Sequence, residues 1–215
     1  MTDLDAAWAD RWLRECARVL AVHREELIDL DRAIGDGDHG ENMDRGFQAV
    51  VDKLDDGPSE SVAAALKVAA MMLMSKVGGA AGPLYGTAFL RASAAVGERE
   101  SLDGPAVEAM LAAARDGIVA RGKADPGDKT MVDAWSPAVV AAGRAADGEA
   151  AFAAAATAAE EGALATKPLV ARKGRASYLG ERSAGHLDPG AVSTSYILRA
   201  AVTAAVSEIS AGGRP

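Results

Sequence analysis

Residues 8–40 read WADRWLRECARVLAVHREELIDLDRAIGDGDHG, an apolar-periodic run that breaks into an acidic, glycine-rich turn. Trp8, Trp12, Leu13, Val19, Leu20, Leu27 and Leu30 recur at helical spacing, which predicts a long amphipathic helix ending near Asp31. The segment from Ile34 to Gly40 then abandons that period. Its three glycines, Gly35, Gly37 and Gly40, alternate with acids and permit backbone conformations most residues resist, so a shaped loop is expected there.

Working outward, a second helix is expected from about Asn42, with Met43, Phe47, Val50 and Leu54 on one face and a stop at Gly57-Pro58. A third carries Val62, Leu66, Ala69, Leu73 and Val77, with Ser59 as its N-cap. Beyond the break at 78–83, the stretches 84–96, 105–120, 130–146 and 149–165 each read as helices, Pro137 starting or kinking one of them. Residues 167–190 are irregular and polar, and a last helix is expected over 192–210. The sum is an all-α chain of about eight helices with short connections, which predicts neighbours running antiparallel in an up-and-down bundle or closed barrel. The 167–190 stretch draws functional interest because long unstructured segments are uncommon in compact domains.

The composition agrees. The chain of 215 residues is 49% hydrophobic yet holds only three each of Trp, Tyr and Phe, so its helices pack through small side chains, in one globular domain over 1–215. A net charge of -8 opposes nucleic acid and anionic membrane surfaces, leaving small molecules or proteins as partners. The single cysteine, Cys16, sits among Trp12, Leu13, Val19 and Leu20 and reads as a small buried hydrophobe. The opening residues, Thr2, Asp3, Asp5 and Asp10, lack the basic start of a secretory signal, and no run reaches membrane-spanning length, so a cytoplasmic location is expected.

Asp31, Asp36 and Asp38 flank the turn, which can fold their carboxylates toward one point. Two carboxylates about 4 Å apart repel by roughly 4 kcal/mol at a surface-like dielectric, so three converging acids require cations or must stay apart in solvent. Oxygen-only ligands select hard ions such as Mg²⁺. Taken without its neighbours, the loop is equally a solvated acidic turn. An EF-hand starting at Asp36 fails its register at Gly40, Glu41 and Phe47. The backbone N–H groups from Gly40 to Asn42 would open the next helix and suit phosphate. His39 is a donor to that phosphate or an ordinary structural hydrogen-bonder. Residues 78–83 let backbone approach a nucleotide, without the ending of a P-loop. Arg172, Lys173 and Arg175 form a basic cluster beside Ser177 and Tyr178, able to neutralise phosphate or simply solvated. His186 and Asp188 precede Pro189-Gly190, where turn chemistry alone accounts for Asp188.

Together, LDRAIGDGDHG (30–40), GGAAGPLYGT (78–87), RGKADPGDKTM (121–131), and ARKGRASYLGERS (171–183) with GHLDPG (185–190) resemble the L subunit, the ADP-binding subunit, of dihydroxyacetone kinases of the phosphotransferase-system-dependent type. The resemblance implies a barrel of antiparallel helices with nucleotide at one end. It assigns Asp31, Asp36 and Asp38 to two Mg²⁺ ions bridging the phosphates. His39, Gly40, Glu41, Asn42, Ala80, Ala81, Gly122, Met131, Arg175, Asp188, Pro189 and Gly190 would line the nucleotide, Met131 near the base and Arg175 at the phosphates. At Ala81, where many relatives carry serine, the backbone N–H would have to make the contact.

The implied reaction moves a phosphoryl group from Mg²⁺-bound nucleotide to dihydroxyacetone held on a separate K subunit. ADP would serve as a coenzyme, recharged to ATP by a phosphohistidine-carrying phosphotransferase partner. The three aspartates and Arg175 would supply this chain's share of catalysis by positioning and charge neutralisation. The alternatives are an L-type subunit of an ATP-dependent kinase for another short ketose, and a non-catalytic ADP-binding regulatory protein.

Overall fold

The helix expected from Trp8 to Asp31 is broken at His23. The computed structural model describes residues 4–211, so Thr2 and Asp3 of the expected leaderless start lie outside the described residues. Helix α1 (Ala6–Val22) ends where His23 leaves helical geometry (φ -96°, ψ 13°), and α2 (Arg24–Ile34) starts afresh. Neither glycine nor proline marks the break. It is held from across the molecule, where the His23 ring stacks on Tyr196, centroids 4.2 Å apart, and the Tyr196 hydroxyl donates to Glu26 at 2.8 Å.

The remaining helices are α3 (His39–Leu54), α4 (Val62–Lys76), α5 (Ala81–Val96), α6 (Gly104–Gly122), α7 (Val132–Ala142), α8 (Gly148–Ala165) and α9 (Pro189–Ala211). No strand occurs among the described residues. Going round the molecule, α1 packs on α3, each helix from α3 to α8 packs on the next, and α9 closes on α1. Eight helices thus form a shut ring, with short connections that turn successive members antiparallel. Helix α2 stands outside it against α3 and α9. The all-α, up-and-down reading of the sequence holds, with α2 as the extra helix.

Closure rests on aromatic residues of α1. Trp8 and Trp12 stack with centroids 5.2 Å apart, and Phe152 packs against both. Their indole N–H groups donate to the carbonyls of Ala201 (3.1 Å) and Ile197 (2.8 Å), so the same two side chains fill the interior and tie α1 to α9. Cys16 is buried beside them, as expected. No described helix is long and apolar enough to cross a membrane.

Several boundaries differ from expectation. Ser61, not Ser59, caps α4 by accepting from Ala64 N at 3.1 Å, because Asp10 holds both the hydroxyl and the N–H of Ser59. Helices α3 and α5 begin about three residues earlier than their apolar pattern, since polar and glycine residues complete their first turns. Pro83 falls in the first turn of α5, where no N–H is missed. Pro137 lies inside α7, which ends at Ala142 rather than continuing to 146. The irregular stretch after α8 contains a 3-10 helix, Arg175–Ser183, interrupted at Gly180.

An up-and-down ring sorts its connections to two ends. Helices α1, α4, α6 and α8 start at one end, and each is capped by its own side chain: Asp5, Ser61, Asp103 and Asp147. Helices α3, α5, α7 and α9 start at the other. There, among the described residues, the N-cap positions of α3, α5 and α7 make no side-chain cap bond.

Candidate functional site

At that second end a cleft opens to solvent. Its walls come from four separated stretches of chain: Asp31 to Asn42, Gly78 to Leu84, Lys129 to Met131, and Lys173 to Gly190 in two pieces. Four helix N-termini therefore face one space. The positive ends of their dipoles, with the N–H groups left open at the start of α5, make it a place for anions; the first N–H groups of α3, α7 and α9 are partly taken by Asp31, Thr130 and Asp188.

Opposing this positive character is the acidic turn. Ligand oxygens of Asp31, Asp36 and Asp38 lie within 4.8 Å of one another. Asp31, only 9% exposed, is fixed first: its Oδ2 accepts from the N–H groups of Asp38 (2.9 Å) and His39 (3.2 Å), which bends the turn back over the end of α2. Burial raises the Asp31 pKa, those two hydrogen bonds oppose the rise, and the charges of Asp36 and Asp38 add to it. Gly35 permits this approach, since a Cβ there would stand 2.1 Å from Asp31 Oδ1. Gly37 serves differently, by its left-handed φ of 76°. Three carboxylates with no other donor type fit a hard divalent cation such as Mg²⁺. Arg175 Nη2 sits 3.0 Å from Asp36 Oδ2 and is the basic side chain brought closest to the triad from the cluster read in the sequence.

The structure gathers Asp31, Asp36, Asp38, His39, Asn42, Ala80, Ala81, Met131, Arg175, Asp188, Pro189 and Gly190 on the cleft. Three expected residues do not line it. Gly40 is turned against α2, where a Cβ would meet Arg24 O at 2.1 Å. Glu41 faces Arg24 and Arg45 on the exposed side of α3. Gly122 lies behind Leu84, which itself lines the cleft. His39 resolves toward the structural reading: its Nε2 is 2.9 Å from Ser193 Oγ, and burial lowers its pKa to about 4, so the imidazole is neutral. Asn42 Oδ1 accepts from Gly78 N at 3.3 Å and ties α3 to the loop before α5. Ala81 is the first residue of α5, where its N–H has no partner within the helix. Of the other basic residues, Lys173 reaches the cleft; their neighbour Tyr178 does not line it and is 89% exposed.

Two features escaped the sequence reading. Behind His39 and Gly190, which line the cleft, lies a buried hydroxyl network in which Tyr85 Oη is 2.8 Å from Ser193 Oγ and 2.9 Å from Thr194 Oγ1, and donates to Gly190 O at 3.0 Å. Lys129, in the turn before α7, is buried. Adjacent hydroxyls at the start of α9, in an otherwise apolar run, were the one signal for the network.

Asp188 is more than a turn residue. Its Oδ2 accepts from Ala191 N at 2.7 Å and so caps α9, while burial pushes its pKa up to about 7. With an unfolded value near 3.9, folding takes up a proton between about pH 4 and 7; this contribution is complete at the acid end and is lost as pH rises through about 7. Asp188→Asn keeps the cap acceptor without the charge. The expected result is a shallower loss of melting temperature than wild type between about pH 4 and 7, for nucleotide-free protein. Parallel curves for the two proteins would refute the assignment.

Comparisons with known proteins follow the same lines. The DAK2 domain family matches residues 33–203. The chain is 46% identical to the PEP-dependent dihydroxyacetone kinase, ADP-binding subunit DhaL of Escherichia coli (strain K12), over 90% of this chain and 94% of that protein. It is 43% identical to ADP-binding subunit DhaL of PEP-dependent dihydroxyacetone kinase 1 from Listeria innocua, over 94% and 98%. The crystal structure of the dihydroxyacetone kinase of C. freundii shares the fold, with a TM-score of 0.70 at 24% identity, over 94% of this chain and 35% of that one. The chain accordingly belongs to the DAK2 domain family, alongside the DhaL subunits.

Proposed function

We propose that this chain is the nucleotide-binding subunit of a dihydroxyacetone kinase, an enzyme active only with its partner. The carrying observation is the meeting, in one cleft, of four helix N-termini, a carboxylate triad and Arg175. Phosphates of ADP or ATP suit the N–H groups, and the triad would hold two Mg²⁺ ions. Bound there, the ions would neutralise charge on the phosphate oxygens.

The chain's own residues do the rest. Asp31 holds the acidic turn in place through its two backbone donors. N–H groups at the start of α5, including that of Ala81, hold phosphate oxygens, and Met131, 6% exposed at the start of α7, packs against the base. Arg175 supplies positive charge to the phosphoryl group in transit. In this reading the three carboxylates are committed to the metal ions, so activation of the acceptor hydroxyl falls to the partner. That partner is a K subunit carrying dihydroxyacetone; a second, phosphohistidine-bearing phosphotransferase partner recharges ADP to ATP in place. The names of the 46% and 43% identical relatives, PEP-dependent ADP-binding subunits, favour this coenzyme form over freely exchanging ATP. The setting is the cytoplasm.

The test is nucleotide released by acid from protein purified in Mg²⁺, followed by transfer assays with the K subunit and the phosphohistidine partner. About one ADP per chain and turnover to dihydroxyacetone phosphate are expected. Arg175→Ala should lower turnover on the order of a hundredfold or more, the scale of losing one preorganised charge donor, with little change in melting temperature. Absence of ADP together with no binding on titration would sink the proposal, and unchanged turnover would remove Arg175 from it.

A further inference from the structure

Lys129 is 1% exposed, among the largest side chains wholly inside the protein. A buried ammonium is costly unless its three donors are met. Here Nζ donates to the carbonyls of Thr166 (2.7 Å) and His186, with Lys167 O farther off at 3.5 Å. Thr166 and Lys167 open the long stretch after α8 and His186 ends it. The same two stems meet again where Gly185 N donates to Lys167 O (2.7 Å) and Asp188 N to Thr166 Oγ1 (2.9 Å).

The backbone around the lysine is also set for this purpose. Lys129 takes a left-handed φ of 62°, unusual for a residue with a Cβ. Asp133 holds that shape by accepting from Gly127 N and, at 2.8 Å, from Thr130 N. Arg172 N donates to Asp128 O at 3.0 Å, a further tie between this turn and the long loop. The loop has little core of its own, Ile34, Ala171 and Ala176 with Leu179, so polar ties must fix its position. At its outer part stands Arg175, 3.0 Å from Asp36.

We propose that Lys129 is a positioning residue: its ammonium, bonded to the carbonyls of Thr166 and His186, clasps both stems of the 167–186 loop and thereby sets Arg175 over the phosphate side of the cleft. The clasp stands on geometry alone; its effect on ligand rests on the nucleotide reading above. Apparent affinity scales with the fraction of molecules whose loop is docked, so a loop docked one time in ten weakens binding about tenfold.

The test pairs hydrogen exchange of the nucleotide-free chain with Mg-ADP titration, for wild type and Lys129→Met. Amides of the 167–186 loop should exchange at least about tenfold faster in the variant while α1 and α9 keep their protection, and the Kd for Mg-ADP should rise by a similar factor. Unchanged loop exchange, or equal loss of protection throughout the ring, would overturn the clasp. Faster loop exchange with unaltered Kd would overturn the link to ligand. A wild-type chain that takes no Mg-ADP refutes the nucleotide reading, while exchange still decides the clasp. If Lys129→Met does not fold, Lys129→Ala prepared in propylammonium, which replaces the deleted atoms, gives the answer: loop protection lost when the amine is removed supports the clasp, and protection retained overturns it.

Discussion

Asp36→Asn or Asp38→Asn should weaken Mg²⁺-dependent ADP binding by at least about a hundredfold, beyond the 10- to 100-fold typical for disturbing a metal site's outer contacts. Asparagine keeps the size and one oxygen of aspartate but not the charge, and charge is what a hard cation needs here. The helical fold should survive, because neither side chain joins the core and both are exposed. At separations of up to 4.8 Å, each carboxylate pair repels by between about 1 kcal/mol in water and 3.5 kcal/mol at a protein-surface dielectric. Losing one charge therefore relieves the metal-free protein, most clearly at Asp38; at Asp36 the lost pair with Arg175 offsets part of the gain. Calorimetric titration with ADP in Mg²⁺ and thermal melts without it separate the two effects. An Asp38→Asn chain that binds ADP as wild type does would overturn the metal assignment.

Gly35→Ala should damage the site comparably without altering any charge. The new Cβ would be 2.1 Å from Asp31 Oδ1 and 3.0 Å from Asp31 O, and the latter cannot swing away. Asp31 must leave its position, and the N–H groups of Asp38 and His39 then lose their shared acceptor. Overpacking of this kind costs about 1–3 kcal/mol, so a lower melting temperature is expected together with Mg-ADP affinity reduced on the scale of the aspartate variants. The comparison isolates geometry from charge. Normal ADP affinity in a folded Gly35→Ala chain would show that Asp31 need not be held where it is.

The acidic turn was legible because its chemistry lies within eight consecutive residues, and the triad oxygens do converge. The ring was legible for a similar reason, each helix carrying its own apolar period and its own stop. What stayed hidden depends on partners far along the chain. The break at His23 is made by Tyr196, a whole ring away, and the sequence around it is good helix. The buried hydroxyl network joins Tyr85 to Ser193 and Thr194 across more than a hundred residues. Lys129 gave no signal because its carbonyl partners are 37 to 57 residues distant and carry no side-chain signature. Ser59 and Ser61 are chemically equal as caps, and only Asp10 decides between them.

The division of the ring into two ends has a practical corollary for protein engineering. The connections 55–61, 97–103 and 143–147 sit opposite the cleft, are mostly exposed, and deliver nothing to it. Exposed tips away from packed backbone are where new termini and grafted domains are best tolerated. A fluorescent reporter spliced near Gly97, or a permuted chain opened there, would leave all four ligand-facing junctions covalently whole. The molecule thus offers a handle at one pole that can be rebuilt at will while the other pole keeps working.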